Sequence, residues 1–201
     1  MRITGGQARG IPIKAPAKGN VRPATDYLRE AVFSSLGPER VQGAKVLDCF
    51  AGTGAYGLEA LSRGAAKACF IEQDRAALQC WEQNRAAVVK ALQRGGGDEG
   101  PRSLDELAEH WRGDFFRAIN RIGHSFDLVF ADPPYALWDE KGGEILPLLL
   151  GRLAEGTEAR LICEAPGAWS PEIPAGWQLI RRLAKGPQQP SALIIGRENG
   201  D

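Results

Sequence analysis

Asp132-Pro133-Pro134-Tyr135 sets an acid, two rigid imino acids and an aromatic ring in succession. The segment just before it, Phe126–Ala131 (FDLVFA), reads as a strongly buried strand. Prolines donate no ladder hydrogen bonds, so the chain leaves the sheet at this point. That puts Asp132 and Tyr135 at the carboxyl edge of the strands, where open α/β sheets bind ligands. An acid acceptor, the Pro133 carbonyl and an aromatic face together suit a planar group bearing an NH2. Each oxygen would accept one N–H, drawing the nitrogen lone pair out of conjugation, while Tyr135 stacks on the ring. Taken as architecture alone, the same residues make a rigid strand-end turn with a capping acid.

A second cluster spans Val46 to Ala60, VLDCFAGTGAYGLEA. A short apolar run ends in Asp48, and Gly52, Gly54 and Gly57 follow before a helical pattern begins. Strand, glycine turn and helix form the cofactor-binding unit of open α/β sheets. The glycine spacing matches a dinucleotide fingerprint, but Asp48 would repel a pyrophosphate and suits a cation or an amine. Cys69-Phe70-Ile71 reads as the next strand and ends at Glu72, an acid able to take two ribose hydroxyls. A ligand with a ribose and a cationic amino-acid tail satisfies both carboxylates, and S-adenosylmethionine (SAM) is such a ligand. The competing NAD reading lacks an evident acid or base for hydride transfer. A methyl group held in line with the bound amine gives transfer to nitrogen, with rate arising from positioning and electrostatics.

The elements that must position these clusters alternate as βαβα, which argues for a parallel sheet. Lys45–Asp48 and Ala68–Glu72 read as strands, Gly57–Arg63 and a long segment from Asp74 as helices. Gly95–Ser103 reads as a flexible surface loop. Residues 104–121 look mostly helical with a break at Arg112-Gly113-Asp114. A strand is needed just before Asp114, yet Glu109-His110-Trp111-Arg112 makes a poor one. A helix is expected from Lys141 to Leu153 with a kink at Pro147, then a strand at Arg160–Glu164. Trp177–Leu183 and Ala192–Gly196, joined through Lys185-Gly186-Pro187, are expected to form an antiparallel hairpin. At the other end, residues 1–14 suggest a small hairpin or extended arm and 15–24 a loop. A helix capped at Thr25-Asp26 then buries Leu28, Val32 and Leu36, leaves Arg29 and Ser34 on its other face, and stops at Gly37-Pro38.

The length of 201 residues allows one domain with a substantial core, and the composition is that of an ordinary soluble protein. Net charge is zero but unevenly spread: residues 1–45 hold eight basic residues against three acidic, a net +5. A basic head on an acidic body points to a polyanionic partner, or to a solvated surface. Cys49, Cys69, Cys80 and Cys163 form no CxxC pair, and reduced, mostly buried thiols are expected. Neither a signal peptide nor a membrane-length apolar run is visible, so a cytoplasmic protein is expected. No ligand cluster suggests a metal.

Asp48-x-Phe50-Ala51-Gly52-Thr53-Gly54-x-x-Gly57-Leu58-Glu59-Ala60, then Ile71-Glu72-x-Asp74 and Asp132-Pro133-Pro134-Tyr135, together resemble the RsmD family of bacterial 16S rRNA guanine-N2 methyltransferases. The head is similar as well, through Arg2-Ile3-x-Gly5-Gly6-x-x-Arg9-Gly10 and Arg22-Pro23-x-Thr25-Asp26-x-x-Arg29-Glu30. The resemblance covers nearly the whole chain. It implies a class I SAM-dependent methyltransferase fold, Rossmann-like, with a seven-stranded mostly parallel sheet and an antiparallel C-terminal hairpin. It divides the chain into an N-terminal arm, hairpin and helix at residues 1–40 and a methyltransferase domain at 41–201. It implies SAM at Asp48, Phe50, Ala51, Gly52, Thr53, Gly54 and Gly57, at Glu72 and Gln73, and near Asp114 and Phe115. It implies catalysis by Asp132, Pro133, Pro134 and Tyr135, RNA contact by Arg2, Arg9, Arg22 and Arg29, and a monomer acting on ribosomal RNA in the small subunit. The chain departs from the family pattern at Tyr27, where an arginine is expected, and in the length of the Gly95–Ser103 connection. An Asp-Pro-Pro-Tyr turn by itself also serves adenine N6 or a glutamine side chain, and a non-catalytic RNA-binding factor could keep the fold.

Overall fold

The computed structural model describes residues 1–17, 26–94, 103–184, 186 and 189–198. Arg22, Thr25, most of the Gly95–Ser103 loop and the Lys185 and Pro187 turn positions lie outside the described residues. Two helices come first, α1 (Asp26–Leu36) and α2 (Pro38–Val41). The sheet unit follows as β1 (Lys45–Cys49), α3 (Ala55–Ser62), β2 (Lys67–Glu72), α4 (Arg75–Arg94), α5 (Leu104–Leu107), β3 (Ala108–Arg112) and α6 (Phe115–Ile119). The second half holds β4 (Leu128–Ala131), α7 (Tyr135–Leu150), β5 (Arg160–Pro166), β6 (Trp177–Ala184) and β7 (Pro190–Arg197).

The seven strands form one sheet in the order β3-β2-β1-β4-β5-β7-β6. The first five in that order run parallel, while β7 is antiparallel to both β5 and β6. The expected C-terminal hairpin is thus present and closes the sheet. Strand order reverses between β1 and β4, so a crevice opens above the carboxyl ends of those two strands. The register places Cys49 beside Ala131 and Ala131 beside Cys163, so Asp132 and Glu164 follow in step on neighbouring strands.

Period-two alternation divides the core between two faces. Val46, Phe70, Phe130 and Ile162 pack with α1, α3 and α4, whereas Leu47, Ile71, Val129, Leu161 and Cys163 pack with α6 and α7. Ile3, Ala8 and Ile13 of the N-terminal arm and Leu28, Val32 and Leu36 of α1 share the first of these cores. The arm carries an isolated antiparallel bridge between Arg2 and Pro12.

Three elements differ from the sequence expectation. Ala108–Arg112 is a strand despite its polar sequence, because β3 is the sheet's edge and only Ala108 needs full burial. Its Glu109 pairs with Lys67 of β2, and the Arg121 guanidinium lies over the Trp111 ring, so polar and aromatic side chains finish the edge. α7 begins at Tyr135, six residues before the expected Lys141. Pro134 is its N-cap, a place where a missing N–H costs nothing. α3 begins at Ala55 rather than Gly57, with Gly54 as its left-handed N-cap.

Candidate active site

The glycine turn is fixed from beneath and from one side. Gly54 has φ 81°, and a Cβ there would stand 2.5 Å from the Trp81 ring. A Cβ on Gly57 would collide with the Phe70 ring. Gly57 is therefore required by α3 lying close on β2, while its N–H donates to Asp48 Oδ2 at 2.8 Å. Phe50 is the one described non-glycine residue at positive φ, 56°. Such strain persists where the surroundings enforce it and is concentrated at functional sites. Here the Phe50 ring stacks on Phe115 at 4.6 Å.

Glu72 organises the far side of the turn. One of its oxygens accepts from Gly52 N–H at 2.7 Å, the other from the Gln73 and Asp74 amides at 2.7 Å each. A carboxylate has about four acceptor positions, so roughly one remains for a ligand hydroxyl. Gly113 N–H donates to the Glu72 carbonyl at 3.1 Å, bringing Asp114 to the same edge. Asp114 caps α6 through Arg117 N–H at 3.3 Å. The cofactor residues expected from sequence thus gather at one place: Asp48 to Gly57, Glu72, Gln73, Asp114 and Phe115.

Asp48 is 2% exposed, and burial pushes its carboxyl up to about 8, with the Glu72 charge adding and the Gly57 hydrogen bond opposing. Asp132, half-buried, lies just past β4, with its N–H 3.4 Å from the Cys49 carbonyl. Burial raises its carboxyl well above the usual range, and the charges of Glu164 and Asp48 raise it further. Pro133 is buried, and the Pro134 carbonyl accepts from Leu137 N–H at 2.8 Å, so the turn is rigid on both sides. Tyr135 is half-buried at the start of α7.

Two residues of this edge escape the sequence reading. Glu164, 5% exposed at β5, accepts from the Tyr56 hydroxyl at 3.0 Å. Burial raises its carboxyl, opposed by the Tyr56 hydrogen bond and the Arg29 charge. Tyr56 stacks on Phe130 at 5.0 Å, and the Trp138 indole N–H donates to the Glu164 carbonyl at 2.8 Å. The signal was available: VLD, FIE, FAD and LICE are four apolar runs that each lead into an acid. Asn84 is the other omission. It accepts from Lys14 N–H at 2.8 Å and donates to the Thr53 carbonyl at 3.1 Å, tying the arm and the glycine turn to α4.

The expected RNA-contact residues fare unequally. The side chains of Arg2 and Arg9 are exposed. Arg29 is not available to RNA: it is 0% exposed, inside an ion-pair network with Glu59 and Asp26, and it donates to the Arg2 carbonyl. Glu59 lies buried on α3 directly against α1, and its charge draws the guanidinium inward.

What the site can hold follows from its charges. Asp48, Glu72, Asp132 and Glu164 line one sheet edge, so a cationic group is favoured there and an anionic one is repelled. Known proteins agree with this architecture. The protein-family model named Conserved hypothetical protein 95 matches residues 1–192. The chain is 36% identical over 189 residues to Ribosomal RNA small subunit methyltransferase D of Escherichia coli K12, covering 92% of this chain and 85% of that protein. It is 30% identical over 135 residues to the protein of the same name in Haemophilus influenzae, 67% of this chain and 64% of that one. A solved structure from Escherichia coli superposes with TM-score 0.74 at 34% identity, covering 100% of this chain and 99% of the other. One from Thermus thermophilus gives 0.72 at 28%, covering 96% and 98%. The chain belongs to the RsmD family and has the SAM-dependent methyltransferase fold.

Proposed function

We propose that this protein transfers a methyl group from SAM to the exocyclic N2 amine of a guanine in 16S ribosomal RNA. The observation that carries the reading is the placement of Asp132. Its carboxylate, with no hydrogen-bond donor among the described residues, lies on a rigid Pro-Pro turn beside the glycine turn. The acidic edge fits a sulfonium and an ammonium, and Asp48, the Phe50–Gly57 turn, Glu72, Gln73, Asp114 and Phe115 would hold the cofactor. Bound there, SAM would supply an electrophilic methyl to that nitrogen, with the neutral thioether as the leaving group. Asp132 and the Pro133 carbonyl would accept the two amine N–H bonds and aim the lone pair. Asp132 would then take the proton that the nitrogen releases, for which its raised affinity is suited. Tyr135 would stack on the extruded base, and Pro134 keeps the turn rigid. Residues 1–40 would serve as the RNA-contact arm through Arg2, Arg9 and Arg22, and residues 41–201 as the catalytic domain of a monomer acting in the cytoplasm.

The test is a nucleoside digest read by mass spectrometry. Purified protein and SAM are incubated with unmodified small ribosomal subunits and, separately, with their deproteinised RNA. N2-methylguanosine is the expected product, and primer extension then maps its position. N6-methyladenosine instead would move the target to adenine, and no methylated nucleoside from either substrate would refute an rRNA target.

A further inference from the structure

The acid pair formed by Asp132, just past β4, and Glu164, within β5, holds more than the methyl transfer requires. Asp132 suffices to orient an amine and accept its proton. Glu164 nevertheless stands next to it, one register step beyond the Ala131–Cys163 pair, with neighbouring strands about 4.8 Å apart. Placing two carboxylates side by side is unfavourable unless a ligand supplies donors. Among the described residues, the only hydrogen bond to the Glu164 side chain comes from the Tyr56 hydroxyl, to Oε2. Arg29, the nearby cation, is engaged with Glu59 and Asp26. Glu164 is also held firmly. Tyr56 is wedged against Phe130 and Phe33, and the Glu164 backbone is pinned by Trp138.

The two purine edges that offer an exocyclic amine differ at the ring nitrogen beside it. Guanine presents N2–H2 beside N1–H, an unbroken row of donors. Adenine presents N6–H2 beside N1, which is an acceptor. Two adjacent carboxylates complement the first edge, and one of them faces a lone pair in the second. We propose that Glu164 reads the base: its free oxygen accepts the guanine N1–H while Asp132 accepts from the amine, and Tyr56 is the positioning residue that aims it. The inference rests on the guanine-N2 reading above and deepens it by naming the residue that separates guanine from adenine. A buried acceptor left without its donor rejects the wrong base far more strongly than a shape mismatch does.

The experiment uses small subunits reconstituted from ligated 16S RNA carrying either guanine or 2-aminopurine at the mapped target. 2-Aminopurine keeps the N2 amine but has no hydrogen on N1. The wild-type protein should favour guanine by at least about 100-fold in kcat/KM. Glu164→Gln, whose amide nitrogen would face the base when its oxygen keeps the Tyr56 bond, should lose most activity on guanine and bring that ratio to within about tenfold of one. Tyr56→Phe keeps the carboxylate but frees it, and should lower the ratio by a smaller factor. SAM binding by calorimetry checks that each variant is folded. Equal losses on both bases, with the ratio unchanged in both variants, would overturn the assignment. Should the wild type methylate no guanine at all, the proposed function fails instead, and the two failures are distinct.

Discussion

One face of the sheet carries two sets of buried acids, and they are provided for very differently. Glu59, fully buried in α3, accepts from Thr4 N–H and Oγ1–H, Gly5 N–H, Arg29 Nε and Arg63 Nε, at 2.8 to 3.3 Å. Three residues earlier on the same helix, Tyr56 gives the strand-end set a hydroxyl, and Gly57 gives it an amide. Glu59 is therefore saturated, with two arginines and the arm closing over it. Asp132 and Glu164 are undersupplied and press on each other. Buried charge is costly unless paired and hydrogen-bonded. A saturated acid has met that cost within the fold. An undersupplied acid meets it only when a ligand arrives, which is what a binding site requires.

Removing Asp132 should separate the two sets most sharply. Asp132→Asn is expected to lower kcat/KM by about 1,000-fold, by loss of the proton acceptor and of the charge that orients the amine. SAM affinity should stay within a few-fold and thermal stability should not fall, because a poorly supplied charge has been removed. Calorimetry showing that SAM binding is lost with it would place Asp132 in the cofactor cradle instead. Glu59→Ala should do the reverse. It strands Arg29 in the core and releases the arm, at a cost of about 3–5 kcal/mol in urea unfolding. A loss below about 1 kcal/mol would mean that the Glu59 network is not structural.

The contrast also explains which residues could be recognised in the sequence. Asp48, Glu72 and Asp132 were legible because their partners are local: a glycine turn, a following helix, two prolines. Glu164 follows an apolar run in the same way but has no motif around it, and its importance comes from the β4–β5 register. Arg29 was misplaced for a related reason. It flanks the Leu28, Val32 and Leu36 stripe, where an arginine would ordinarily reach solvent, and Glu59 that buries it is 30 residues away. β3 was obscured because an edge strand needs few apolar residues. The parallel strands were readable because buried parallel strands are continuous apolar runs, and the antiparallel C-terminal hairpin because a short turn joins its two strands.

The undersupplied set should also mark the pH dependence of stability. Asp48 has an ordinary value near 3.8 when unfolded and about 8 when folded. The folded state thus holds more protons than the unfolded state between these values, so stability falls as pH rises through that window. Near its middle this one group contributes about 1.4 kcal/mol per pH unit. Asp48→Asn should flatten the apo protein's unfolding free energy between pH 5 and 8 relative to wild type. SAM, bringing positive charge, should flatten the wild-type slope as well. Parallel slopes in wild type and variant would show that Asp48 is already ionised without ligand.

The smallest expected effect tests whether the arm's arginines divide as the acids do. Arg29 is bound to the fold, whereas the Arg2 and Arg9 side chains are exposed. An exposed arginine that neutralises one phosphate releases condensed counterions, and its removal lowers the salt dependence of binding. Arg9→Ala and Arg2→Ala should each weaken RNA binding and reduce the slope of log K against log salt by about 0.7 to 0.9, with unfolding midpoints unchanged. Fluorescence anisotropy at several salt concentrations measures both quantities. Unchanged slopes in both variants would move the RNA grip away from the arm. Its tight attachment through Glu59, Ser62 and Asn84 would then be explained by stability alone.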